Sequence, residues 1–70
     1  MDKAILIQVN GESRETAEGT TVTALLSELG LNAGRVAIER NLCILPKAKW
    51  EETQVAEGDR FEIVQFVGGG

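Results

Sequence analysis

Apolar and polar positions along the chain follow a two-residue period in several short stretches and a helical period in one. Ala4-Ile5-Leu6-Ile7-Gln8-Val9 is short and rich in β-branched residues, which predicts a strand. Asn10-Gly11 follows it, and both central positions of a type I′ turn need positive φ, so this dipeptide predicts a two-residue hairpin. Glu12 to Ala17 then returns antiparallel as a polar edge strand, its charges suited to an exposed border, and Gly19 ends it. Val22, Leu25, Leu26 and Leu29 fall at i, i+3, i+4 and i+7 and gather on one face of a helix, with Ser27 and Glu28 on the water side. Thr21 is the predicted N-cap. Gly30 supplies the left-handed residue after the last turn, over which Leu31 folds back in a Schellman-type stop.

Alternation resumes in Arg35 to Arg40, with Val36 and Ile38 on the buried side. Asn41-Leu42 marks a tight turn, and Cys43-Ile44-Leu45 a short strand closed by Pro46. Lys47 to Trp50 reads as one helical or 3₁₀ turn with Pro46 preset for its first position. Glu57-Gly58-Asp59 is a turn signal. The last strand, Arg60 to Val67, carries apolar residues on both faces near its end, as expected of an internal strand whose second face is partly covered. First and last strands that are both hydrophobic can pair centrally, linked by a right-handed crossover through a helix packed across one face. The expected class is α+β, a β-grasp (ubiquitin-like) fold with a mixed sheet of four to five strands on one main helix. The β-grasp domain is expected over residues 1–67, with a flexible C-terminal glycine tail over residues 68–70.

Composition restricts function. A chain of 70 residues is one domain and buries about 60% of the surface its unfolded form exposes, so nearly every apolar side chain is needed for the core. Little remains to line a deep substrate cavity. With no histidine, no tyrosine and one cysteine, the usual proton-transfer and metal-ligand sets are missing, which argues against an enzyme, a bound cofactor or a metal site. Eleven acids against seven bases, a net charge of −4, disfavour nucleic-acid and membrane partners. One cysteine forms no internal disulfide, which fits a reducing compartment. The apolar run at the N-terminus stops after four residues, too short for a signal peptide, and no stretch approaches the roughly 20 apolar residues of a membrane span. The expected location is cytoplasmic.

Val67-Gly68-Gly69-Gly70 is the feature with chemical content. A glycine run at a terminus is ordinarily an inert frayed tail or a cloning remnant. Here it adjoins the most apolar strand without a spacer. Lacking Cβ atoms, Gly68 and Gly69 could thread a narrow channel, and three extended residues reach about 10 Å. The useful group is then the Gly70 α-carboxylate, which is anionic at neutral pH and a poor electrophile. It must first be activated, and a mixed anhydride with AMP is the natural form. No phosphate-binding loop occurs in the chain, so the ATP site must belong to another protein.

Several segments together carry a resemblance: Asn10-Gly11, Thr21-Val22-Thr23-Ala24-Leu25-Leu26, Val36-Ala37-Ile38-Glu39-Arg40-Asn41, Ile44-Leu45-Pro46-Lys47 with Trp50, Glu57-Gly58-Asp59, and the glycine terminus. Over essentially its whole length the chain resembles the ThiS family, the sulfur carriers of thiamin (thiazole) biosynthesis. The Gly-Gly end is common to every ubiquitin-like carrier, whereas the block from Val36 to Trp50 and the short length point to ThiS. Leu42-Cys43 departs from the glycine and polar residue usual there. The resemblance implies that a ThiF-like, E1-type adenylyltransferase uses ATP and Mg²⁺ to convert the Gly70 carboxylate into an acyl-adenylate. Sulfur from a cysteine desulfurase persulfide then displaces AMP to leave a thiocarboxylate, and a ThiG-like thiazole synthase consumes it. The chain would be a protein cosubstrate. Competing readings are the small subunit of molybdopterin synthase, which is usually longer, a lysine-conjugating protein modifier, and a TGS-like binding module.

Some residues need separate expectations. Cys43, in an Ile-Leu strand, is expected to be a small buried hydrophobe. Val64, Phe66 and Val67 form a candidate partner-docking surface, and each of Phe61, Val64 and Phe66 is core instead if it faces the helix. Trp50 is expected to close one end of the sheet. Glu51, Glu52, Glu57 and Asp59 are expected on a solvated surface, where an acidic rim could steer a basic partner.

Overall fold

The computed structural model describes residues 3–66. Five strands, β1 (Ala4–Val9), β2 (Glu12–Ala17), β3 (Val36–Arg40), β4 (Cys43–Ile44) and β5 (Arg60–Gln65), form one sheet in the order β2-β1-β5-β3-β4. One helix, α1 (Val22–Glu28), packs on it, and 3₁₀ turns span Ala33–Arg35 and Lys47–Lys49. β1 and β5 run parallel at the centre and the other pairings are antiparallel, so the sheet is mixed. This is the β-grasp arrangement anticipated from the pattern.

Local chemistry accounts for the elements. Asn10 and Gly11 adopt φ of 51° and 83° between the paired residues Val9 and Glu12, which makes the two-residue turn that Asn-Gly favours. The Thr21 hydroxyl accepts the Ala24 N–H at 3.1 Å and caps α1. At the other end Gly30 has φ 73°, its N–H reaches Ser27 O at 3.1 Å, and the Leu31 N–H reaches Leu26 O at 3.0 Å. Those two bonds are the Schellman pair. Val22, Leu25 and Leu26 drive into the sheet and Leu29 is half-buried. They meet Ile5, Ile7, Val36, Ile38, Phe61 and Ile63, with Trp50 and Val55 closing the core from the segment before β5. Trp50 is buried as expected and its indole N–H donates to Leu45 O at 2.9 Å. Pro46 is the N-cap of its 3₁₀ turn instead of the first turn residue, because its carbonyl already accepts the Lys49 N–H.

Three expectations are corrected. Cys43 is exposed, since β4 is a two-residue edge strand paired with β3 alone. The second face of β5 is not covered: Val64 and Phe66 are each 59% exposed, and the strand ends at Gln65. Asp59 is 6% exposed. Its carboxylate takes the Arg40 Nε at 2.9 Å, the Asn41 side-chain amide at 3.2 Å and the Ala56 N–H at 2.8 Å. It thus ties the β3–β4 turn to the turn that launches β5. Glu57 lies at the surface but is not merely solvated, because both its carboxylate oxygens lie 3.3 Å from the Leu6 N–H. Within the polar edge strand Thr16 is buried, its hydroxyl bonded to Thr20 and Glu28.

Removing the Asp59 carboxylate leaves the half-buried Arg40 guanidinium without its ion pair at 2.8 Å. Asp59→Ala should therefore lower unfolding free energy by about 2–4 kcal/mol, read from the urea midpoint; a loss no larger than that of a surface substitution would refute the assignment. The β3–β4 turn invites the opposite change. Asn41 and Leu42 carry φ of 52° and 73°, and Leu42 is 89% exposed, so it sits strained with little packing to offset it. Relief of about 1–2 kcal/mol of left-handed strain outweighs about 0.4–1 kcal/mol lost by loosening the unfolded chain. Leu42→Gly should raise stability by roughly 0.5–1 kcal/mol, seen as a higher denaturant midpoint.

Candidate functional site

The sheet has one face under α1 and one open face. Alternation places Ile5, Ile7, Val36, Ile38, Phe61 and Ile63 inward, so Leu6, Ala37, Glu39, Glu62 and Val64 point outward. Register brings the outward set into contiguous rows: Ala37 opposite Val64, and Glu39 opposite both Glu62 and Ile44. Ala37, Ile44 and Val64, with the two glutamates and Ile38, line a shallow groove of about 240 Å³. Ile44 is 76% exposed, and Leu6 and Phe66 add further exposed apolar surface.

Electrostatics mark the groove as well. Glu39 and Glu62 are Cα partners across the β3–β5 ladder, and like charges directly opposite each other cost stability in a sheet. A cationic group laid across them would relieve that repulsion.

The sequence-predicted site residues are distributed as follows. Val64 and Phe66 lie on the open side, Phe61 is core, and Val67, Gly68, Gly69 and Gly70 lie outside the described residues. The Phe66 N–H donates to Arg35 O at 2.8 Å, so the backbone is still tied to the segment entering β3 at the last described position. Leu6, Ala37 and Ile44 were missed. The two-residue period in β1 and β3 carries a signal for Leu6 and Ala37, but Ile44 is set outward by its pairing with Glu39, a long-range register. Among the described residues no group of three or more His, Cys, Asp or Glu side chains could hold a metal ion, and no helix is long and apolar enough to cross a membrane.

Comparison with known proteins adds a family. The sequence model of the ThiS family matches residues 7–70. The sulfur carrier protein ThiS of Bacillus subtilis is 36% identical over 66 residues, 93% of this chain and 100% of that protein. A thiazole synthase of Paramagnetospirillum magneticum is 50% identical over 62 residues, covering 89% of this chain. The chain spans only 19% of that synthase's length. The crystal structure of the thiamine biosynthesis protein ThiS from Geobacter metallireducens superposes with a TM-score of 0.81 at 36% identity, covering 94% of this chain and 100% of that one. With the family match extending over most of the chain and a full-length relative sharing its size, this chain belongs to the ThiS family.

Proposed function

We propose that the chain is a sulfur carrier for thiazole formation in thiamin biosynthesis and that its reacting group is the Gly70 carboxylate. The observation that carries this reading is a ThiS-family match running through residue 70, on a body whose last strand lies in the middle of the sheet. A ThiF-like adenylyltransferase binds ATP and Mg²⁺. The Gly70 carboxylate attacks the α-phosphorus, pyrophosphate leaves, and the acyl-adenylate forms. The terminal sulfur of a cysteine desulfurase persulfide then displaces AMP to form an acyl disulfide. A thiol reductant cleaves its S–S bond to release the thiocarboxylate, and a ThiG-like thiazole synthase draws sulfur from it. Gly68 and Gly69 admit the tail to each active site, since a Cβ-free backbone passes where a side chain would collide. Catalysis belongs to the partners.

The open face of the sheet is the surface they would grip. Leu6, Ile44, Val64 and Phe66 supply apolar area, and the Glu39–Glu62 pair selects a partner that brings positive charge. That synthase relatives include a stretch similar to this chain supports the choice of a ThiG-like partner over the molybdopterin route.

Incubation with ATP, Mg²⁺, an active ThiF-like enzyme, a persulfide donor and a thiol reductant should give an intact mass that has exchanged one oxygen for sulfur. Deleting Gly70 should abolish the exchange while leaving the circular dichroism unchanged. A wild-type mass that stays unmodified beside an active control carrier would overturn the proposal. Val64→Asp, which adds a third carboxylate beside Glu39 and Glu62 without touching the core, should weaken binding to the activating enzyme about tenfold, or about 1.4 kcal/mol, by calorimetry. Unchanged affinity would remove this face from the interface.

A further inference from the structure

Asn10 does more than turn the hairpin. β1 ends at Val9, and its parallel register with β5 consists of Gln8 opposite Arg60 and Val9 opposite Phe61. β5 continues to Gln65, whereas the chain on the β1 side has already turned away through Gly11. Along β5 the even-numbered residues direct their backbone groups toward β3, as the Phe66 N–H to Arg35 O bond of 2.8 Å illustrates. Odd-numbered residues face β1, and Phe61 O accepts the Asn10 N–H at 2.8 Å. Ile63 is the next odd residue, and β1 has no further residue to offer it.

The Asn10 side chain takes that place. The Ile63 N–H donates to Asn10 Oδ1 at 2.7 Å, and Asn10 Nδ2 donates to Ile63 O at 3.3 Å, both in part-buried surroundings. The carboxamide therefore acts as one more peptide unit of β1, pairing two backbone groups that would otherwise be left without a partner. The turn alone does not require this side chain. Asn, Asp and Gly all tolerate positive φ at that position, but among them only asparagine can donate and accept at once. Aspartate would set an anionic oxygen against the Ile63 carbonyl.

We propose that Asn10 is a positioning residue for the C-terminal segment. Its amide clamp on Ile63 keeps Val64 and Phe66 turned to the open face and fixes where the chain leaves the sheet on its way to Gly70. The proposal rests on the carrier reading above. Ordering this segment before docking reduces the entropy lost on binding, so loss of the clamp should raise KM and leave kcat unchanged.

Asn10→Gly keeps a turn-compatible residue and removes the clamp; Asn10→Asp keeps the shape and removes the donor. The measurements are amide hydrogen exchange by NMR on the full chain, and steady-state kinetics of a ThiF-like enzyme with the carrier as varied substrate. Exchange at the Ile63 amide should accelerate roughly tenfold in Asn10→Gly, which loses the acceptor of that N–H, and less in Asn10→Asp, which keeps it, while α1 and β2 amides keep their wild-type rates. KM for the Asn10→Gly carrier should rise several-fold at constant kcat. Unchanged exchange at Ile63 in Asn10→Gly, or faster exchange there with wild-type KM, overturns the positioning role and leaves the carrier reading standing. Failure of the wild-type chain to be adenylated overturns the carrier reading and this inference with it.

Discussion

The parallel pairing of β1 with β5 joins the first strand to the last and places both at the centre of the sheet. Side strands hang from it, β2 on β1 and β3 with β4 on β5, and the helix packs against the inward residues of this frame. The pairing is long-range, and both of its ends are finished by side chains. Glu57 presents its carboxylate to the Leu6 N–H at one end, and Asn10 presents its amide to Ile63 at the other. Between them Asp59 locks the entry to β5 onto Arg40 and Asn41. Three polar side chains thus define a register that hydrophobic burial alone specifies only to within the two-residue period.

A consequence is a molecule with two unlike faces. Among the described residues eleven buried hydrophobic side chains fill the side under α1, and a 70-residue chain has few more to spend on a second core or a lined cavity. The opposite side keeps Leu6, Ile44, Val64 and Phe66 in water, with Glu39 and Glu62 facing each other among them. Such a surface has little to gain from the monomer and much to gain from a partner. This asymmetry fits a family whose members include sulfur carriers, and relatives in which a similar stretch makes up about a fifth of a thiazole synthase. In the proposed carrier role the body supplies recognition and rigidity, and reactivity is left to the end of the chain and to other proteins.

The same frame explains why the strained β3–β4 turn is tolerated. Asn41 is held by Asp59 and in turn accepts the Arg60 N–H at 2.9 Å, so the left-handed pair Asn41-Leu42 is imposed by bonds to β5. Leu42 bears the cost because nothing packs it elsewhere.

Elements governed by near neighbours were legible from the amino-acid order alone. The Asn-Gly hairpin, the Thr21 cap, the Gly30 stop, the inward stripe of α1 and the alternation of β3 each depend on residues within a few positions, where backbone sterics and period decide the outcome. Family resemblance, too, was legible there. Folding in three dimensions decided the rest. Asp59 and Glu57 looked like surface acids until their partners, 19 and 51 positions away, were brought alongside. Asn10 looked like a turn residue until Ile63, 53 positions on, arrived at its amide. Cys43 looked like core because its strand is apolar in composition, yet an edge strand paired on one side has no layer above it to bury it. Periodicity reports which residues share a face; only the assembled sheet determines which face is covered and which distant polar groups meet.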